Sequence, residues 1–192
     1  MNPTQFQTAA LELLKNYWRL KAANAIYRSS QDVVENRLEY SNVPAVGLAA
    51  NQFNSESVED AMSALQDFVV HRLPRDLFFA LIAEFESRIV ARLFSLGETV
   101  NGTLGQLQSR IQNRLVVPQS LIEDLNEIRE RRNAIIHHGG KADLKYVTAS
   151  AAVLPRANLF VNVTVAGDDV NPTEGYLAYS TDVLVRYSNS VG

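Results

Sequence analysis

The chain has 192 residues, a net charge of −3, 46% hydrophobic and 20% charged residues, which is ordinary globular usage and excludes disordered, collagen-like and coiled-coil classes. It contains no cysteine, which removes disulfide scaffolds, thiolate metal centres and thiol nucleophiles together. Its slight acidity supplies no global basic field for nucleic acid, and His71, His137 and His138 are too few for most all-histidine metal sites. No stretch approaches the roughly 20 apolar residues needed to span a bilayer. The start, Met1-Asn2-Pro3-Thr4-Gln5, lacks the basic and apolar regions of an export signal. A single cytoplasmic domain over 1–192, with no membrane partner, is the expectation.

In chain order, Phe6, Ala9, Ala10, Leu13, Leu14, Tyr17 and Leu20 recur at three- and four-residue steps and predict a helix. The period lapses from Ser41 to Ser55 around Pro44 and Gly47, which reads as a long loop. Ser57 with Asp60 resembles a capping box ahead of a second stripe, Val58 to Val69. After Pro74, the longest stripe runs through Leu77, Phe78, Leu81, Ile82, Phe85, Ile89, Leu93 and Leu96 to Gly97. Glu84 and Arg88 sit four apart on it and are expected to pair on its solvated flank. Leu104, Leu107, Ile111 and Leu115 give a shorter helix, broken at Val116-Val117-Pro118.

Gln119 to His138 follows as a helix closed by Gly139-Gly140, glycine being suited to the left-handed turn after a helix. Beyond Lys141, alternation of Leu159, Val161, Val163 and Val165 predicts a strand, and Gly167-Asp168-Asp169 a turn. Tyr176, Ser180, Val183, Leu184 and Tyr187 then fit a last helix. The expected fold is mainly α: an antiparallel helical bundle of about five or six helices with a small β excursion near the C-terminus.

The segment after Pro118 carries the chemistry. Its apolar stripe, Leu121, Leu125, Ile128 and Ile135/Ile136, passes through position 132, where the sequence places Arg132. A guanidinium cannot shed its charge, so on a packing face it must be paired, hydrated or awaiting an anion. Arg131, four after Glu127, is expected on the solvated side as an ordinary surface pair. His137 and His138 lie just beyond. From Arg129 to Lys145 there are five cations (Arg129, Arg131, Arg132, Lys141, Lys145) and two anions, a local +3 in a chain whose remainder carries −6. Such a basic spot beside imidazoles suits an anion such as phosphate. His137 and His138, adjacent on a helix, point about 100° apart and make a poor chelate, so no metal is expected. No glycine-rich phosphate loop follows a strand, so no nucleotide cofactor is expected either.

The run Glu127-Ile128-Arg129-Glu130-Arg131-Arg132-Asn133-Ala134-Ile135-Ile136-His137-His138-Gly139-Gly140 resembles the signature of the HEPN superfamily, helical domains of ribonuclease toxins, defence systems and RNA-processing enzymes. The signature is an arginine, a polar residue directly after it, and a histidine with four to six residues between. Arg132-Asn133 with His137 meets it at four and with His138 at five. The resemblance covers about 75–147, leaving 148–192 as a strand-containing tail. It implies metal-independent RNA cleavage, in which the 2′-hydroxyl attacks the adjacent phosphorus to leave a 2′,3′-cyclic phosphate and a 5′-hydroxyl. Arg132, His137 and Asn133 would be catalytic, with His138 as the alternative imidazole. Asn133, one turn before His137, would orient its ring. Arg129, Arg131, Lys141 and Lys145 would bind RNA. The resemblance further implies a homodimer whose two motifs share a composite cleft, and an antitoxin or defence-complex partner. The alternative is a non-catalytic member retained for dimerisation or partner binding.

Overall fold

The stripe beginning at Phe6 folds as helix α1 (Pro3–Ser29). Its start is fixed reciprocally: the Gln5 backbone N–H donates to Asn2 Oδ1 at 2.8 Å, and the Asn2 N–H donates to Gln5 Oε1 at 2.9 Å. Proline then suits the first helical position, where no N–H is needed. The computed structural model describes residues 2–29, 37–38, 56–163 and 165–192; the loop expected from Ser41 to Ser55 lies outside them. The remaining elements are β1 (Arg37–Leu38), β2 (Glu56–Ser57), α2 (Val58–Asp67), a π-helical turn (Phe68–Arg72), α3 (Leu73–Ser95), α4 (Leu104–Arg114), α5 (Gln119–His137), α6 (Leu144–Ala157) and α7 (Glu174–Ser190).

The chain divides into two compact units, Asn16–Leu73 and Met1–Lys15 with Pro74–Gly192. In the smaller unit β1 and β2 pair antiparallel, Arg37 opposite Ser57 and Leu38 opposite Glu56. There Tyr17, Val69 and Leu73 are buried, and the Asn24 amide donates to Gln66 Oε1 at 2.6 Å.

The larger unit is a helical bundle. Along α3 the expected stripe is the buried one: Phe78, Leu81, Ile82, Phe85, Ile89 and Leu93 are all within 1% of complete burial. Phe85 packs edge-on against Phe6 and Tyr187, each at 5.7 Å between ring centres. Burying one such ring contributes roughly 1.5–3 kcal/mol. Phe78 meets Tyr176, Phe85 meets Tyr187, and Arg92 Nε donates to the Val191 carbonyl at 2.7 Å. The order of those contacts shows that α3 and α7, distant in sequence, run in the same direction. Arg88 departs from expectation. It is buried, and its Nε donates to Ser188 Oγ at 3.1 Å, where a solvated pair with Glu84 was expected.

Helices α4, α5 and α6 turn back successively on one another. Gln108 on α4 donates to Asn126 while Gly105, one turn earlier, lies against Arg129. Across the other side of α5, Arg156 on α6 reaches Asp124 and the Ser120 carbonyl while Tyr146 reaches Glu127. The alternation from Leu159 to Val165 forms no ladder among its described residues. Val161 and Val163 are buried as pegs of an irregular connection. The pairing that exists nearby is one antiparallel bridge, Lys141 with Asp169.

Candidate functional site: a cleft between α4 and α5

Helix α5 has a buried side and an open side, and the buried side follows its apolar spacing except between Ile128 and Ile135. Leu121, Leu125, Ile128 and Ile135 are buried as expected, but the residue between Ile128 and Ile135 that points inward is Arg131. This corrects two readings: Arg131 is neither a surface partner of Glu127 nor available to RNA. Arg131 is 3% exposed and Glu127 0%. Its Nε donates to Glu127 Oε1 at 3.0 Å, its Nη1 to the Val170 carbonyl at 3.1 Å, and its Nη2 to the Tyr146 hydroxyl. The Tyr146 and Tyr176 hydroxyls donate to the two Glu127 oxygens at 2.8 and 2.6 Å, and the guanidinium lies 3.6 Å from the centre of the Tyr176 ring. Burial alone would lower the Arg131 pKa, but Tyr176, Glu127 and Tyr146 raise it on balance. Burial and the Glu127 charge push both phenols up. The cluster ties α5 to α6, α7 and their connection.

That connection also fixes the end of α5. Gly139 and Gly140 take positive φ angles of 61° and 81°, and the Gly140 N–H closes back on the Ala134 carbonyl at 3.2 Å. A Cβ at Gly140 would come within 2.8 Å of the Asn171 amide, so this turn requires glycine. The Val170 N–H donates to the Gly140 carbonyl at 2.9 Å and the Ala142 N–H to the Asp168 carbonyl at 2.8 Å. His137, the last residue of α5, is thus set on a stapled turn.

The open side of α5 faces α4 across a cleft of about 710 Å3, within the roughly 300–1,000 Å3 usual for ligand sites. The α5 wall presents Arg129, Glu130, Arg132, Asn133 and His137; the α4 wall presents Thr103, Gln106, Ser109 and Arg110. The α4 wall is held by a capping box, the Gln106 N–H donating to Thr103 Oγ1 and the Thr103 N–H to Gln106 Oε1. The Thr-x-x-Gln spacing is legible in the sequence, but nothing in it says which surface that turn faces.

Arg132, Asn133 and His137 therefore share one cleft. Arg132 is half-buried, and its nearest carboxylate among the described residues, Glu86, is 3.9 Å away. Among the described residues no hydrogen bond holds the exposed His137 ring. Asn133 does not orient it: its amide donates to Glu130 Oε2 at 3.2 Å. His138 turns elsewhere, its Nε2 standing 3.5 Å from Asp143 Oδ2, while Asp143 Oδ1 accepts from the Tyr146 N–H and caps α6. Arg129 is neutralised, with Nε and Nη2 each 3.0 Å from Glu130 Oε1 and Nη1 donating to Gln108 Oε1 at 3.1 Å. Lys141 is exposed on the turn. Lys145 lines a separate groove of about 530 Å3 between α5 and α6. Among the described residues no three His, Asp or Glu side chains gather as a metal site, and no helix is long and apolar enough to cross a membrane.

Compared with known proteins, the chain matches no family model, no curated protein and no solved structure.

Proposed function

We propose that the α4–α5 cleft is an RNA-cleaving site of the HEPN kind. Arg132 and His137 carry the reading: they line the same cleft, and among the described residues no carboxylate comes closer to Arg132 than 3.9 Å. A forked guanidinium suits the charge that grows on phosphorus during attack. An imidazole suits proton transfer near neutral pH. In the reaction the 2′-oxygen bonds to phosphorus as its proton passes to a base, the P–O5′ bond breaks, and the 5′-oxygen takes a proton. One histidine per chain serves one of those transfers, so a second copy facing the first completes the acid–base pair. The cell-level role implied is that of a toxin or defence effector restrained by a partner protein.

A second reading, a non-catalytic dimerisation or partner-binding module, draws on Asn133, whose hydrogen bond to Glu130 leaves His137 without an orienting group in the single chain. The two readings separate on incubation of the protein with RNA in excess EDTA, followed by end-group analysis. Cleavage leaving 2′,3′-cyclic phosphate ends, lost in His137→Ala and kept in His138→Ala, is the expected result. Intact RNA at micromolar protein would favour the second reading.

A further inference from the structure

The sequence reading assigns no role to Arg110, on the opposite wall from Arg132. Its Nη1 donates to the carbonyls of Thr99 at 2.9 Å and Asn101 at 2.5 Å. Carbonyls fix a guanidinium in place without cancelling its charge, whereas a carboxylate does both. No carboxylate pairs with Arg110 among the described residues, in contrast to Arg129, which Glu130 neutralises at 3.0 Å. The cleft therefore holds two cations that are not closely paired, one per wall, in a chain whose net charge is −3. Apart from His137, the lining has no ring on which a base could stack. Recognition there falls to charge rather than to base identity.

We infer that Arg110 is a second phosphate-binding residue, so that the cleft takes a single-stranded RNA backbone through two phosphates rather than a mononucleotide. This rests on the reading of the cleft as an RNA site. One phosphate meets Arg132 and His137 on the α5 wall, and a neighbouring one meets the pre-set Arg110 fork on the α4 wall. Because both contacts are to the backbone, binding is tolerant of sequence and sensitive to salt.

Fluorescence anisotropy with a 2′-O-methyl RNA hexamer, which cannot be cleaved, separates binding from chemistry. Affinity is measured from about 50 to 200 mM salt, where each lost phosphate contact on a single strand lowers the log–log slope by about 0.7. Arg110→Ala is expected to lower the slope by that amount and to leave the affinity for uridine 3′-phosphate unchanged. Because Arg110 also holds two loop carbonyls, Ser109→Asp is the second variant. It places a negative charge on the same wall, leaves those carbonyl contacts in place, and is expected to weaken hexamer binding likewise. Equal slopes for wild type and both variants, or no hexamer binding by wild type, would overturn the inference. Hexamer binding that depends on Arg110, with unmodified RNA left whole in EDTA, would uphold it while removing the nuclease reading.

Discussion

Arg131 and Arg132 are neighbours on α5 and face opposite surroundings. Arg131 is enclosed, with Glu127, Tyr146 and the Val170 carbonyl taking hydrogen bonds from it or sharing its charge. Arg132, one position on, is half-buried in a cleft with the Glu86 carboxylate 3.9 Å away. The same residue type holds the bundle together on one side of the helix and lines an open cleft on the other. What separates them is the helical turn of about 100° per residue, together with two tyrosines that arrive from α6 and α7.

The contrast breaks most visibly on the enclosed side. Glu127→Ala leaves the Arg131 charge buried without its carboxylate, and about 3–5 kcal/mol of stability is expected to be lost in urea unfolding. A loss under about 1 kcal/mol would show that the cluster does not clamp α5 to α6 and α7. Next in size is the response to alkali. Burial pushes the Tyr187 phenol up to about 12, partly offset by the Gln112 hydrogen bond, against an ordinary value near 10. The native state therefore holds this proton more tightly than the unfolded chain does. The stabilisation is complete below about pH 10 and falls as pH rises toward about 12, by roughly 2 kcal/mol. Tyr187→Phe is expected to flatten that part of the profile. The smallest effect lies on the α4 wall: Thr103→Ala removes one half of the capping box and is expected to cost about 1 kcal/mol, read by the thermal midpoint.

Much of the scaffold was legible. The three-and-four spacing of α3 named its core residues, and Tyr176, Ser180, Val183, Leu184 and Tyr187 of α7 are all buried. Stripe-reading erred on α5 because it counts only apolar residues. A buried Glu127–Arg131 pair and a surface one have the same spacing in sequence. Their distinguishing partners, Tyr146 and Tyr176, lie far along the chain, Tyr176 being 49 residues from Glu127. Alternation misled at Leu159–Val165 for a related reason. Val161 and Val163 are buried but Leu159 and Val165 are exposed, and a period of two cannot by itself supply a strand to pair with. Helix α6 stands where a tail is expected, with Asp143 as its cap and Tyr146, Ser150, Val153 and Ala157 buried at helical steps. Arg132, Asn133 and His137 were named from the sequence and line one cleft. Arg110 was not, since only the fold sets α4 opposite α5.

The most direct test is the rate of RNA cleavage in EDTA by Arg132→Ala, taken beside its unfolding free energy. A loss of at least about 100-fold in rate is expected, with stability changed by no more than about 0.5 kcal/mol. Cleavage at the wild-type rate by a folded Arg132→Ala protein would contradict it.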